Sequence, residues 1–408
     1  MPIDTGDSAW MLIATGLVLM MTPGLGFFEA GLIRFKNALS AIMQTFSGLA
    51  IISVLWFVIG FTLTFGPDQG GFMGGLDYVF YNNVPGSEGH PLAPTIPGVL
   101  FATYQMMFAV ITPLLMTGAF AERVRYSAFF VFIIAWSLLI YTPLAHWIWG
   151  GGWLAQLGVW DFAGGIVIHT SAGMGSLAAA LVLGRRKGFS PEIMVPHNIP
   201  LAVIGASLLW VGWFGFNAGS ALASGTLASY ALINSQIGAA TCTLVWVFLS
   251  WARTKKPSTV AAINGAISGL AGITPAAGFI TPQAAFVLGI ILGFGSYYGI
   301  VLLKERLKID DALDVSSVHG ITGILGALAI GVAATTAVNP VGPTGLLYGN
   351  PAQLGIQAFG IGVAAVLAFF GTYAILKVID KTIGLKVKDD EEEVGLDVSQ
   401  HAEKAFSN

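Results

Sequence analysis

Eleven apolar runs of membrane-spanning length constrain this chain more than any other feature. A hydrocarbon core about 30 Å thick takes about 20 consecutive apolar residues of helix to cross. Runs at 8–33, 38–65, 97–121, 126–148, 161–184, 199–222, 226–251, 259–279, 282–303, 312–336 and 351–379 reach that length. Lipid offers no partners to backbone polar groups, so spans of this kind close their hydrogen bonds internally as helices. The longest break, 66–95, holds Pro67, Gly70, Gly71, Asn82, Asn83, Pro85 and Pro91 and reads as an extramembrane loop. The expected fold class is an all-α polytopic membrane protein. Composition agrees, with only 10% charged residues against about 25% in soluble domains.

The basic residues set the orientation. With the first span running outside to inside, all 18 Lys and Arg fall at the inner ends of spans or in the tail, from Arg34 and Lys36 to Lys404. The other side carries only acids, such as Asp4, Asp7, Asp68, Asp77 and Glu88. A missed or invented span would scatter this positive-inside bias. The reading is therefore N-terminus outside and C-terminus cytoplasmic, with a transmembrane domain over 1–380 and a cytoplasmic tail over 381–408. No basic segment or cleavage site suggests a signal peptide at the N-terminus. The net charge of −3 gives no case for nucleic acid, and the single cysteine, Cys242, rules out an intrachain disulfide.

Three short echoes recur five spans apart. Phe28-Glu-Ala-Gly31 resembles Phe216-Asn-Ala-Gly219, Ile111-Thr-Pro113 resembles Ile273-Thr-Pro275, and His169-Thr-Ser-Ala-Gly173 resembles His319-Gly-Ile-Thr-Gly323. An odd offset turns the second copy over, giving an inverted five-plus-five repeat plus a final helix, with a substrate path at the repeat interface.

His169 lies eight residues after Asp161, roughly 12 Å down a helix and near the bilayer midplane. An ionisable group at that depth points to function. Symmetry brings His319 to the equivalent place, where two neutral rings can bond nitrogen to nitrogen and still present one polar atom each. Asp161 suits the helix start as an N-cap, a role compatible with attracting a cation. Trp149 ends the fourth span at the outer interface, where it is an anchor or a cation-binding face. Phe108 and Phe216 are mid-helix aromatics, and Ser220 offers one hydrogen bond near the end of span six. Glu29 is a buried acid. Glu122 and Arg123 read as a local surface ion pair, and Asp310, Asp311 and Asp314 as acids favourable to a helix start rather than a metal site.

Asp161-Phe-Ala-Gly-Gly, Ala145-His-Trp-Ile-Trp-Gly-Gly-Gly152, Gly212-Trp-Phe-Gly-Phe-Asn-Ala-Gly-Ser220 and Asp314-Val-Ser-Ser-Val-His-Gly320 together resemble the ammonium transporter (Amt/Mep/Rh) family, on its Amt side. The resemblance runs from Pro23-Gly24 to the tail. It implies a homotrimer of eleven-helix subunits in the cell membrane, each with its own pore, no catalytic residues and no cofactor or metal. By the resemblance, Trp149, Phe108 and Ser220 form the outer ammonium site. Phe108 and Phe216 form a phenyl gate, His169 and His319 line the lumen, and Asp161 is the family's essential acid. Glu29 stands where some members carry Tyr. In the tail, Gly395–His401 follows the family's regulatory segment, with Ala402 in place of Gly and Phe406 in place of Tyr. The acidic run Asp389–Glu393 reads from charge as a solvated stretch, while the resemblance has the tail packing under a neighbouring subunit. A PII-type signalling protein is the implied cytosolic partner, and Ser399 matches a position phosphorylated in some relatives.

The expected activity is recruitment of NH4+ at the outer aromatic site, deprotonation near the gate, and passage of NH3 past the histidines, with proton transfer alongside. A bare cation in hydrocarbon costs far more than a cation–π contact returns, and K+ has no proton to lose. The alternatives are an electroneutral Rh-type NH3 channel, an ammonium sensor working through a cytosolic partner, and a bis-histidine haem protein.

Overall fold

The computed structural model describes residues 2–190 and 194–405. Among them, ten helices are long and apolar enough to cross a membrane. In chain order they are α1 Thr5–Leu32, α2 Phe35–Phe65, α3 Gly98–Phe120, α4 Tyr126–Leu157, α5 Gly165–Leu183, α6 Ile199–Gly219 and α7 Thr226–Thr254. After α8 come α9 Pro282–Arg306, α10 Ser316–Ala333 and α11 Ala352–Thr382. The run at 259–279 gives a shorter helix, α8 Thr259–Ile273, of 15 residues. Beyond it Thr274 and Pro275 lead into turns, because proline has no N–H to continue the ladder. The chain is a multi-pass membrane protein, and large apolar side chains such as Leu12, Phe46, Val54, Phe248 and Phe370 are exposed on its outer surface.

Helices pack closely where glycine lets them. α1 lies along α6, with Gly31 against Asn198 and Ala202 and Gly205 against Phe28. α5 and α10 cross at two glycines, where a Cβ on Gly173 would sit 2.1 Å from the Gly320 Cα. Both helices begin with a π-helical turn, Gly165–Thr170 and Ser316–Ile321. Such turns are rare and often mark functional sites. A Cβ on Gly165 would lie 2.3 Å from the Pro275 ring, so the end of α8 is wedged against the start of α5.

The loop between α2 and α3 is not wholly irregular. It carries two small antiparallel sheets, β1 Asp68–Gln69 with β2 Met73–Gly74 and β3 Gly89–His90 with β4 Ala93–Pro97. Gly70 and Gly71 make the first turn at positive φ, and the Asp68 carboxylate accepts from the Gly71 N–H at 2.8 Å. His146 of α4 ties this loop down through its Nδ1 to the Thr64 carbonyl at 2.7 Å and its Nε2 to Asp68 Oδ1 at 2.9 Å.

At the opposite end, two sequence readings are corrected. Glu122 and Arg123 do not pair at the surface, because both are buried and each finds a different partner. Glu122 binds Arg34 at 2.6 Å and Arg186 at 3.4 Å, Arg186 binds Asp310 at 2.8 Å, and Arg123 donates to the carbonyls of Ala119, Gly184 and Asp310. Burial alone would push the Glu122 and Asp310 carboxyls up, but the neighbouring arginines hold both below their usual range. The acidic run is solvated only in part: Asp389, Asp390 and Glu393 are exposed, while Glu392 is buried. It opens a docked helix, α12 Asp389–Val394, followed by α13 Leu396–His401. Lys36 Nζ donates to the Glu392 carbonyl at 2.9 Å, and the buried Glu392 side chain accepts from the Lys187 N–H at 2.6 Å. Asp397 accepts from the Ser40 N–H at 2.8 Å. The tail therefore packs under its own chain, and Phe406 lies outside the described residues.

Candidate functional site

The site is built on two helix starts and one crossing. Asp161 sits just ahead of α5, and its carboxylate accepts four backbone N–H groups. Those of Gly164 and Gly165 meet Oδ1 at 2.8 Å each, and those of Ile166 and Val167 meet Oδ2 at 2.7 and 3.0 Å. A helix leaves its first N–H groups without intrahelical partners, and a buried carboxylate satisfies them with charge-assisted bonds. The Asp161 carbonyl also accepts from Trp149 Nε1 at 2.8 Å, which fixes the indole at the loop end of the bundle.

Asp311 does the same work ahead of α10, accepting from the Val315 and Ser316 N–H groups at 3.1 and 2.7 Å. It precedes His319 by the same eight residues that separate Asp161 from His169. That shared spacing was present in the sequence and is the signal that singles Asp311 out from its acidic neighbours. Asp310 instead belongs to the Arg186 pair, and Asp314 binds Lys304 at 2.7 Å.

With both helix starts capped and the helices crossing at Gly173 and Gly320, the two histidines meet. His169 Nδ1 and His319 Nδ1 are 3.2 Å apart, and the rings lie 5.2 Å apart at 23°. One nitrogen donates and the other accepts, which leaves a neutral pair with one donor and one acceptor at the Nε2 positions. His169 also faces Trp213 at 5.5 Å and Phe216 at 6.1 Å, and its Nε2 has no protein partner. Trp213 is anchored by Nε1 to Thr274 Oγ1 at 2.9 Å.

Above the histidines Phe108 and Phe216 stack with ring centroids 4.3 Å apart. Beyond Phe108 opens a cavity of about 380 Å³ at the loop end, lined by Trp149, Ser220 and Asp161 among others. Trp149 stands edge-to-face with Phe108 at 6.2 Å. Ser220 Oγ donates to the Phe216 carbonyl at 2.8 Å, so its lone pairs stay free to accept. The Tyr104 hydroxyl lies 3.4 Å from Ser220 Oγ and 2.9 Å from the Phe216 carbonyl. Tyr104 and Trp213 were not singled out from the sequence; their i, i+4 and i, i+3 spacing to Phe108 and Phe216 was the available signal.

Below the stack the space narrows to two small apolar cavities of about 20 Å³ each, and His319 lines both. A water-sized molecule needs roughly 10–15 Å³ by this measure, so each holds one such molecule and not a hydrated ion. Two nitrogens in hydrogen-bond contact beside cavities this small leave no room for a porphyrin. The arrangement is thus a wide polar–aromatic mouth, an aromatic plug, and a narrow lumen floored by paired imidazoles.

The model of the Ammonium Transporter Family matches residues 9–406. The chain belongs to the ammonium transporter family. It is 55% identical over 408 residues to ammonium transporter 1 of Dictyostelium discoideum, covering 99% of this chain and 88% of that protein. The crystal structure of Candida albicans Mep2 superposes with a TM-score of 0.89 at 36% identity, covering 95% of this chain and 88% of that one. A solved structure described as a sensor Amt protein also gives 0.89, at 29% identity, covering 97% and 98%. The family consists of transporters and not enzymes.

Proposed function

We propose that the chain carries ammonium through a pore between the loop end and the basic end of the bundle. NH4+ is recruited in the wide cavity against Trp149, Phe108 and Ser220, is deprotonated at the Phe108–Phe216 stack, and passes the His169–His319 pair as NH3. The observation that carries this reading is the direct contact of two imidazole nitrogens, 3.2 Å apart, behind an aromatic plug. A charged solute there would lose its hydration to a cavity of about 20 Å³ with apolar walls. Ammonium gives up its extra proton and fits as ammonia. Asp161 acts by holding the start of α5, and so the ring of His169, in place.

The same reading places the loop end outside and the Lys- and Arg-rich end in the cytoplasm of a cell membrane, by the positive-inside bias. It takes α8 with the turns after it as the eleventh span, α1–α5 and α6–α10 as inverted repeats, and a homotrimer as the assembly. A PII-type protein would dock at the basic end, where the tail lies. Purified protein in proteoliposomes should give ammonium-evoked current and none with K+; K+ current of equal size would sink the proposal. Internal alkalinisation without current would assign an electroneutral NH3 channel instead. The likeness to a sensor Amt protein favours one further reading, signalling through a partner, and wild-type flux too slow to measure would support it.

A further inference from the structure

One buried ionisable group has no part in that scheme. Glu29 of α1 is 1% exposed, and among the described residues it makes no ion pair. Its carboxyl contacts the Thr117 hydroxyl, with Oε1 and Oε2 at 2.9 and 2.8 Å. The same hydroxyl lies 2.5 Å from the Leu114 carbonyl. A hydroxyl has one proton, and a carbonyl can only accept. The proton can serve only one of these acceptors; given to Leu114, it leaves Thr117 Oγ1 presenting lone pairs to Glu29. A carboxylate there would meet the Thr117 lone pairs with the Gly118 N–H as its one backbone donor; a carboxylic acid accepts from that N–H and donates into the lone pairs. The hydrogen-bond inventory fits an acid that holds its proton.

Glu29 also lines the lower of the two small cavities, together with Asn264 and His319. His319 is the shared wall between this cavity and the one above. One molecule-sized space thus separates the paired imidazoles from a protonated carboxyl, on the side towards the basic end. No other carboxyl lines either cavity.

We propose that Glu29 is the proton-transfer residue at the inner end of the pore. Ammonia that has passed His319 takes the proton from the Glu29 carboxyl and leaves as NH4+, and Glu29 becomes a carboxylate. The proton removed from ammonium at the mouth crosses on the histidine pair and restores the acid. One NH4+ is lost outside, one appears inside, and no further donor is consumed. Asn264 can bond the molecule in the cavity, and Thr117 holds the carboxyl towards it. This step rests on the proposed ammonia pore and its histidine pair.

The test is Glu29→Gln, whose amide can still donate to Thr117 but cannot exchange a proton. Wild-type and variant proteoliposomes are compared for ammonium-evoked current and, with an internal pH dye, for alkalinisation by entering NH3. The expected result is at least a tenfold loss of current with internal alkalinisation appearing in its place, because NH3 then enters alone and takes its proton from the internal water, and partial recovery of current in Glu29→Asp. Current within twofold of wild type in Glu29→Gln overturns the relay. Loss of current with no alkalinisation in a variant that still elutes as folded protein also overturns it, because the residue would then only shape the lumen. Should Glu29→Gln not fold, Glu29→Asp decides: its shortened arm must slow current at least threefold with alkalinisation appearing, and unchanged current rejects the idea. Failure of the pore reading looks different, since wild-type protein would then show neither signal.

Discussion

Replacing Asp161 with Asn isolates what its carboxylate contributes. The carboxylate accepts four N–H groups, two on each oxygen, at 2.7–3.0 Å. Asparagine keeps one acceptor oxygen and turns an NH2 towards the other two donors. Hydrogen bonds to a charged group contribute about 1.5–3 kcal/mol each, so two lost bonds cost about 3–6 kcal/mol. Water from the neighbouring cavity recovers part of this, and the donor–donor contact adds to it. For 408 residues, unfolding entropy per residue gives roughly 0.9 kcal/mol per kelvin, so the melting temperature should fall by about 3–7 °C. The larger effect is on geometry. His169 follows the released N–H groups within one turn, so the imidazole contact loosens and ammonium-evoked current should drop more than tenfold. Differential scanning fluorimetry in detergent and current measurement on supported membranes read the two effects. Asp161→Asn with wild-type melting and full current would refute the claim that the carboxylate holds the pore wall.

Three other outcomes follow from the same structure. Gly173→Ala puts a methyl 2.1 Å from the Gly320 Cα, so the helices must part, at about 1–3 kcal/mol or more; transport should be lost even where the protein still purifies as folded protein. Trp149→Leu removes a cation-binding face worth about 0.5–2 kcal/mol, so half-saturation should rise about 2- to 30-fold with maximal current little changed, as a concentration series would show. At the basic end, Glu122 and Asp310 are held below the ordinary carboxylate range despite burial, by Arg186 with Arg34 and Arg123. Their contribution is present above the unfolded pKa of about 4 and is lost as pH falls through the folded values. Arg186→Ala should cost about 3–5 kcal/mol by stranding buried charge and flatten that acid-side fall in melting temperature.

The helices were legible because lipid allows so few alternatives. Apolar runs located them to within a few residues except at the end of α4, which continues to Leu157, and one run shows the limit: 259–279 is apolar throughout, yet the helix ends just before Pro275 and the remainder turns back against α5. Hydropathy records the environment of a stretch and not its hydrogen bonding. The histidines were visible as ionisable groups too deep to be accidental, whereas Asp311 was hidden by two acidic neighbours that do different work. Tyr104 and Trp213 look like any core aromatics until the ring they support is known. The tail misled because charge density reads as solvation, while the partners that bury Glu392 lie some 200 or more residues away, at Lys36 and Lys187.

The imidazole contact depends on backbone features more than on the histidines themselves. Each ring sits on a helix whose first N–H groups are gathered by an acid eight residues earlier, and each helix begins with a π-helical turn. The two are pressed together where neither has a side chain. A site assembled this way is rigid without adding charge to the narrow lumen, since both carboxylates are spent on amide protons and neither lines the two small cavities. A lumen-facing acid would stabilise any small cation and erase the distinction between ammonium and potassium. In the proposed scheme Glu29 is the one carboxyl allowed to face the lumen, and its hydrogen bonding to Thr117 fits an acid that keeps its proton until ammonia takes it. Selectivity and proton delivery then rest on the same condition, that no fixed negative charge stands in the path while the pore is at rest.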